Sequence, residues 1–245
     1  MKVWAYGLWS WEWSEDRVLG YPVRFSDGPS FVYLVEEIFM RQVYGDATDT
    51  IPERKSVWVV DCGANLGLSS LYVIHRRPEV RLVIVEPNPA AEERLRMNLS
   101  DITASRVRIH PVAVGREAKD VVLSIPSWSA TSPGAYVREG DPVVGTRDVR
   151  VQCVPLSSLL PDEVALLKLD VEGAEEDVLA ELSESGALPQ IKHIVMEVHY
   201  DSRDPTSLSK ILALLGDGGF EVGLVEIARD QGPYDRRDLL VQARK

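Results

Sequence analysis

Val57–Gly67 reads VWVVDCGANLG, and a matching stretch, RLVIVEPNP, begins at Arg81. In the first, an apolar run ends on Asp61, turns through glycines at 63 and 67, and opens onto a helical period over Leu68–Arg77, stopped by Pro78. In the second, an apolar run ends on Glu86 and a helical period follows over Ala90–Leu99. Short apolar runs alternating with helical periods predict an α/β fold, a mostly parallel sheet with helices on both faces. Glycine has no Cβ, so the turn can bend sharply and let a ligand approach the backbone. The helix that follows points its free N–H groups the same way.

This is the arrangement that holds a nucleoside-bearing cofactor. In dinucleotide-binding folds the turn carries G-x-G-x-x-G and cradles a pyrophosphate. Here the spacing is Asp61-Cys62-Gly63-Ala64-Asn65-Leu66-Gly67, and a carboxylate at the strand end repels pyrophosphate. It suits an ammonium group or ribose hydroxyls, both of which S-adenosylmethionine offers, and Glu86 is placed to accept from a ribose diol. The expected cofactor is S-adenosylmethionine, which makes the chain a methyltransferase. A nicotinamide-dependent oxidoreductase on a related fold and a non-catalytic module are the alternatives.

Two further segments carry chemistry. Leu166–Val178, LLKLDVEGAEEDV, delivers Asp170 and Glu172 from a strand end toward the same crevice. Glu175 and Glu176 read as helix-start residues favoured by the dipole. Ile194–Tyr200, IVMEVHY, ends in Glu197 and His199, which share one face while extended. His199 has three open readings: a base that takes a proton from a hydroxyl, a ligand to a divalent metal with Asp170 and Glu197, or a structural hydrogen-bonding residue.

Further strands are expected at Val107–His110, Ala165–Asp170, Ile191–Glu197, Glu221–Ile227 and Asp238–Gln242, with helices near Ala174–Ser183 and Ser207–Leu215. Asp120–Pro126 and Arg147–Val154 alternate like an inserted antiparallel pair or loop region. Residues 1–50 differ in texture: four of the six tryptophans fall at positions 4, 9, 11 and 13. That region reads as a strand over Trp9–Trp13, a second over Val18–Phe25 and a helix over Phe31–Tyr44. It forms a cap, either a lid over the site or a cover for a sheet edge, set against a 51–245 cofactor-binding domain. The cap and Ser127–Asp148 are expected to enclose the acceptor.

With 45% hydrophobic and 27% charged residues the chain has the composition of a globular domain. A net charge of -11 weighs against a nucleic-acid partner. Arg76, Arg77 and Arg81 read as a solvated helix end and turn rather than a basic patch. Two cysteines without metal-ligand spacing imply a reducing setting. No apolar run reaches ~18 residues and no leader is recognisable, so no membrane and a cytoplasmic location are expected. Asn98-Leu99-Ser100 reads as a helix end. Homodimerisation through the N-terminal segment is a further expectation.

VVDCGANLG, VEPNP, LLKLDVEGAEEDVL and IVMEVHY together resemble the FkbM family of S-adenosylmethionine-dependent methyltransferases, over about residues 55–200. The resemblance implies a Rossmann-like class I methyltransferase fold, with a seven-stranded sheet closed by an antiparallel strand, and O-methylation of sugars or other small molecules. It implies that Asp61, Gly63, Asn65 and Gly67 line the methionine end of the cofactor. Glu86 would hold the ribose, Asn88 would lie near the adenine, and Asp170 would border the methyl donor. Catalysis is expected from His199, Asp170 and Glu172, on a hydroxylated small molecule. An RNA methyltransferase is the runner-up within the class, and the identity of the acceptor does not transfer.

Overall fold

The computed structural model of the chain describes residues 14–102, 104–138, 140–201, 206–226 and 236–245. In chain order the elements are β1 (Ser14–Val18), β2 (Tyr21–Phe25), α1 (Gly28–Val35), α2 (Gly45–Asp49), β3 (Trp58–Cys62), α3 (Leu68–Arg76), β4 (Arg81–Val85) and α4 (Pro89–Asn98). Next come β5 (Val107–His110), β6 (Ala113–Gly115), β7 (Lys119–Pro126), β8 (Tyr136–Arg138), β9 (Thr146–Pro155) and β10 (Val164–Leu169). The chain then forms α5 (Glu175–Glu184), β11 (His193–Asp201), α6 (Thr206–Asp217), β12 (Glu221–Glu226) and β13 (Arg236–Arg244).

Seven strands form the central sheet in the order β12-β13-β11-β10-β3-β4-β5. β13 runs antiparallel to both neighbours, and every other pair is parallel. The chain leaves β3 outward through β4 and β5, then returns to lay β10 on the other side of β3. That reversal is the switch point where open α/β sheets bind ligands, beyond the carboxyl ends of the strands.

Alternation along each strand divides the core into two layers. Val59, Leu82, Ile84, Leu166, Val195 and Leu240 point to one face, packed under α1, α3 and α4. Val60, Val83, Val85, Leu167, Ile194, Met196 and Val241 point to the other, covered by α5 and α6. Both faces are apolar because both are covered, which is why these strands read as continuous hydrophobic runs. By the same alternation Asp61, Lys168, Glu197 and His199 fall on the first face, beneath the N-terminal segment.

The expected helices and core strands appear within a few residues of their anticipated ends, and three regions differ. The span Val18–Phe25 is a hairpin rather than one strand: Leu19 and Gly20 take φ of 51° and 90°, and β1 pairs with β2 across them. Left-handed residues in succession make a two-residue turn that suits strand twist. The helix expected over Phe31–Tyr44 leaves the α-helical path after Val35, passes through a π-helical turn at Glu36–Met40, and breaks at Gln42, where φ is 53°. The insertion is a four-stranded sheet, β6-β9-β7-β8, in which the anticipated antiparallel pair β7–β9 is joined by β8 and by a parallel β6. The strand read over Trp9–Trp13 lies outside the described residues.

The segment before residue 51 shares the first core: Val18, Val23, Phe25, Phe31, Leu34 and Ile38 pack with Leu66, Leu71 and Leu95. There is no break in packing at residue 51. Asn98, the last residue of α4, is buried; its Nδ2 donates to the Leu66 carbonyl at 2.9 Å and its Oδ1 accepts from the Arg24 N–H at 2.6 Å. It thus ties the hairpin to the glycine turn. Arg76 and Arg77 both pair with Asp49, while Arg81 turns away onto the Trp58 ring, so the three arginines form no single patch. No described helix is long and apolar enough to cross a membrane.

Candidate active site

A cleft of about 820 Å³, open to solvent, lies beyond the carboxyl ends of β3, β4 and β10. Its walls bring together Gly63, Ala64, Asn65 and Glu86 from the first two motifs with Asp170 and Glu172 from the third. The turn owes its shape to left-handed backbone at Gly63 (φ 74°), Asn65 (50°) and Gly67 (81°). A Cβ on Gly63 would sit 1.7 Å from the Asp170 carbonyl oxygen. Glycine is therefore demanded here by the neighbouring strand, a different cause from the ligand approach that the sequence suggested. Asp170 N–H donates to the Cys62 carbonyl at 3.2 Å, so the first and third motifs lock together. Gly67 packs against Leu95, 3.3 Å from where its Cβ would be, and does not line the cleft.

Asp61 also lies off the cleft surface. It is buried under the turn, where its Oδ2 accepts from the Ser69 and Ser70 hydroxyls at 2.6 and 2.7 Å. Its Oδ1 has no hydrogen-bond partner and lies 3.5 Å from Lys168 Nζ. In this structure Asp61 braces the turn from below instead of lining it.

Lys168 is the residue that the sequence reading missed. It stands in the middle of an apolar strand, and that interruption was its signal. Its Nζ donates to the Gly63 carbonyl at 2.8 Å and lies 3.3 Å from Asp170 Oδ2. Burial pulls its pKa down, but Asp170 and Asp61 outweigh burial, so it stays charged.

Glu86 is buried, and each of its oxygens already accepts a backbone N–H, from Asn65 at 2.7 Å and from Asn88 at 2.8 Å. Burial, opposed by those two hydrogen bonds and by Lys168, pushes its pKa up to about 7. Asn88, expected near an adenine, caps α4 through Ala90 N–H and donates to the Ala130 carbonyl at 2.9 Å. Asn65 Nδ2 reaches the Thr131 carbonyl of the same loop at 3.1 Å. The loop before β8 is thus tethered to both cofactor motifs and supplies Ser132, Pro133 and Ala135 to the cleft wall.

The far wall comes from the N-terminal segment, through Leu34, Glu37, Ile38 and Tyr44. Tyr44 is buried, and its pKa is raised well above 10 by burial and then by Asp170 and Glu197, so the phenol keeps its proton.

His199 lies behind the wall, beneath Asp170 and Glu172, with its side chain 3% exposed. Its Nδ1 is 3.1 Å from Glu175 Oε1. Its Nε2 is 3.5 Å from Glu197, 3.7 Å from Glu172 and 4.0 Å from Asp170. Burial lowers the imidazole pKa, but hydrogen bonds to Glu175 and Glu197 and the charge of Glu172 overcome it and raise the pKa well above 6.5. The surrounding carboxylates favour the protonated imidazole, and the ring is screened from the cleft. Glu175, read as a helix-start residue, also accepts from the Val171 and Gly173 N–H groups and orients His199. The atoms that could share a metal ion belong to Asp170, Glu172 and His199, all within 4.8 Å of one another. Glu172 thus replaces Glu197 in the anticipated triad.

Residues 61–222 match the family model described as "Methyltransferase FkbM domain". The chain is 28% identical to "Methyltransferase 1" of Beauveria bassiana, across 87% of this chain and 89% of that one. It is 26% identical to the "31-O-demethyl-FK506 methyltransferase FkbM" of Streptomyces tacrolimicus, across 78% and 82%. It is also 29% identical to the "AMB antimetabolite synthetase AmbE" of Pseudomonas aeruginosa over 82% of this chain, and it spans only 11% of that protein's length. Among solved structures, magnesium protoporphyrin IX methyltransferase (ChlM) from Synechocystis PCC 6803 with bound SAH superposes with a TM-score of 0.50 at 11% identity, covering 89% of this chain and 86% of that one. The likeness is one of fold.

Proposed function

We propose that this chain, which belongs to the FkbM methyltransferase family, uses S-adenosylmethionine to methylate a hydroxyl oxygen of a small molecule. The observation that carries this reading is the single cleft in which Asn65 and Glu86 face Asp170 and Glu172. Glu86 and the turn hold the nucleoside end, with the ribose diol donating to Glu86. Asp170, paired with Lys168, faces the cationic sulfonium. The acceptor enters between the N-terminal wall and the loop before β8. The name of the Streptomyces relative describes O-methylation, which supports an oxygen acceptor here.

In the transfer, the acceptor oxygen forms a bond to the methyl carbon as the carbon–sulfur bond breaks, leaving S-adenosylhomocysteine. The hydroxyl proton passes to Asp170 or Glu172, the carboxylates in the cleft wall. The sulfonium is itself reactive, so alignment of oxygen, carbon and sulfur is the larger requirement. His199 is a positioning residue that holds the acidic cluster together through its own positive charge. A second reading rests on the spacing of the donor atoms: Asp170, Glu172 and His199 would hold a divalent cation. It would polarise the acceptor oxygen as a Lewis acid.

The test is a screen of hydroxylated metabolites with methyl-labelled S-adenosylmethionine. Label transfer that falls at least ~100-fold in Asp170→Asn supports the proposal. A chain that transfers no label and ignores S-adenosylhomocysteine while binding NAD overturns it. Loss of turnover on dialysis against a chelator, restored by Mg²⁺ or Mn²⁺, selects the metal reading.

A further inference from the structure

A second cleft lies at the opposite end of the sheet, where β3, β4, β10 and β11 begin and β13 ends. It is separated from the first by the length of a five-residue strand, about 16 Å. It encloses about 1790 Å³ including its open mouth. Its lining is basic although the chain carries a net charge of -11: Lys55, Arg81, Arg108, Lys192, Arg244 and Lys245 stand with Asp162 and Glu163, and of the six Lys192 pairs with Glu163 and Arg244 with Glu221.

The cations are organised. Arg81 and Arg108 rest on one indole, with their guanidinium carbons 4.4 and 4.3 Å from the Trp58 ring. The three residues come from adjacent strands β3, β4 and β5. Among the described residues neither arginine forms an ion pair, and the buried Arg81 Nε has no hydrogen-bond partner. Two like charges are thus held close together and pre-oriented on a rigid ring, with no carboxylate between them. Stacking on an aromatic face leaves the N–H edges of a guanidinium free to fork onto an oxyanion.

His193, 5% exposed, borders the cleft from the opposite face of the sheet, with Nδ1 2.9 Å from Thr50 Oγ1 and, among the described residues, no hydrogen-bond partner at Nε2. The Thr50 hydroxyl donates to the Ala47 carbonyl, so Nδ1–H of the neutral imidazole donates to Thr50 Oγ1 and Nε2 is an acceptor, which leaves His193 outside any oxyanion site.

We propose that this cleft binds the di- or triphosphate group of a small molecule, held on the Arg81–Trp58–Arg108 clamp. The net charge of the chain, the two acidic residues on the rim and the covering of Trp58 by guanidinium groups disfavour a nucleic-acid strand, which needs an extended basic track and a free ring for stacking. Nothing in this inference depends on the identity of the methyl donor.

The test is calorimetric titration of the full chain with inorganic pyrophosphate, then with ATP, in about 50 mM and about 300 mM NaCl. Pyrophosphate should bind, more weakly in high salt, and at least ~10-fold more weakly to R81Q/R108Q, while S-adenosylhomocysteine affinity stays within about twofold. Lys192→Glu, an exposed charge reversal, gives a second reading of about threefold or more should the double variant fold poorly. Equal affinity for pyrophosphate and ATP means that the cleft reads phosphate alone, and tighter ATP binding means that it also reads a nucleoside. No pyrophosphate binding, unchanged binding by both variants, or tighter binding to single-stranded RNA than to either phosphate overturns the proposal.

Discussion

The glycine turn and the acidic cluster around His199 sit in one crevice but are built differently. The turn draws on residues close in sequence: Asp61 meets Ser69 and Ser70, and Glu86 meets Asn88. The cluster draws on a strand end, the left-handed Glu172, the first residue of α5 and the far end of β11. Local hydrogen bonds supply part of the bracing of the turn, to which Lys168 and Asp170 add contacts from β10 and the residue after it, whereas the cluster exists only when separate elements have docked. Changes at the turn should therefore cost stability and cofactor binding together. Changes at the cluster should cost turnover first.

The largest effect is expected where the two regions touch. Gly63→Ala drives a methyl group into the Asp170 carbonyl and should destabilise the fold by more than ~4 kcal/mol, read as loss of the cooperative melt. Gly145→Ala has the same sign of φ but open space around it, and should cost only about 1–2 kcal/mol. Equal losses at both sites would mean that the clash is not what holds the turn.

Next comes the cluster. His199→Ala should lower turnover much more than S-adenosylhomocysteine affinity, and unchanged turnover would remove both the positioning and the metal role. Glu175→Gln separates charge from packing. It removes a carboxylate that raises the His199 pKa. A raised histidine pKa gives stability that is complete below the unfolded value near 6.5 and is lost as pH rises through the folded value. The melting temperature of the variant should then fall at lower pH than that of the native chain, and superimposable profiles would contradict the assignment.

Glu86 has the opposite trade. Its rise from 4.5 to about 7 corresponds to about 3 kcal/mol of unfavourable ionisation in the folded state. The folded chain binds more protons than the unfolded one between those values, so stability falls as pH rises through that window. Glu86→Gln should remove this pH dependence from the stability of the ligand-free protein, at the cost of one of the two backbone hydrogen bonds, and weaken S-adenosylhomocysteine about 10–100-fold, both read from melts with and without ligand. The smallest effect is Ser70→Ala, about 1 kcal/mol for one hydroxyl taken from Asp61.

The same contrast decides what could be read from the sequence. β3, β4 and their helices announce themselves because covered strands are apolar on both faces and the turn residues are local. Asp170 and Glu172 were legible because they end a strand. The roles of Lys168 and Glu175 were not, since each depends on a partner from another element. Leu19-Gly20 escaped notice because a leucine with positive φ hides a hairpin that asparagine would have advertised. The side chain of Asn88 is taken up by the helix cap and by the Ala130 carbonyl, and the second of these depends on a distant loop.

The most direct measurement is calorimetric titration of the full chain with S-adenosylhomocysteine and, separately, with NAD, at pH 6 and pH 8. One S-adenosylhomocysteine per chain is expected, bound more tightly at pH 8, where Glu86 is ionised, with that pH dependence gone in Glu86→Gln. Binding of NAD with no response to S-adenosylhomocysteine would contradict the assignment of the crevice to a methyl donor.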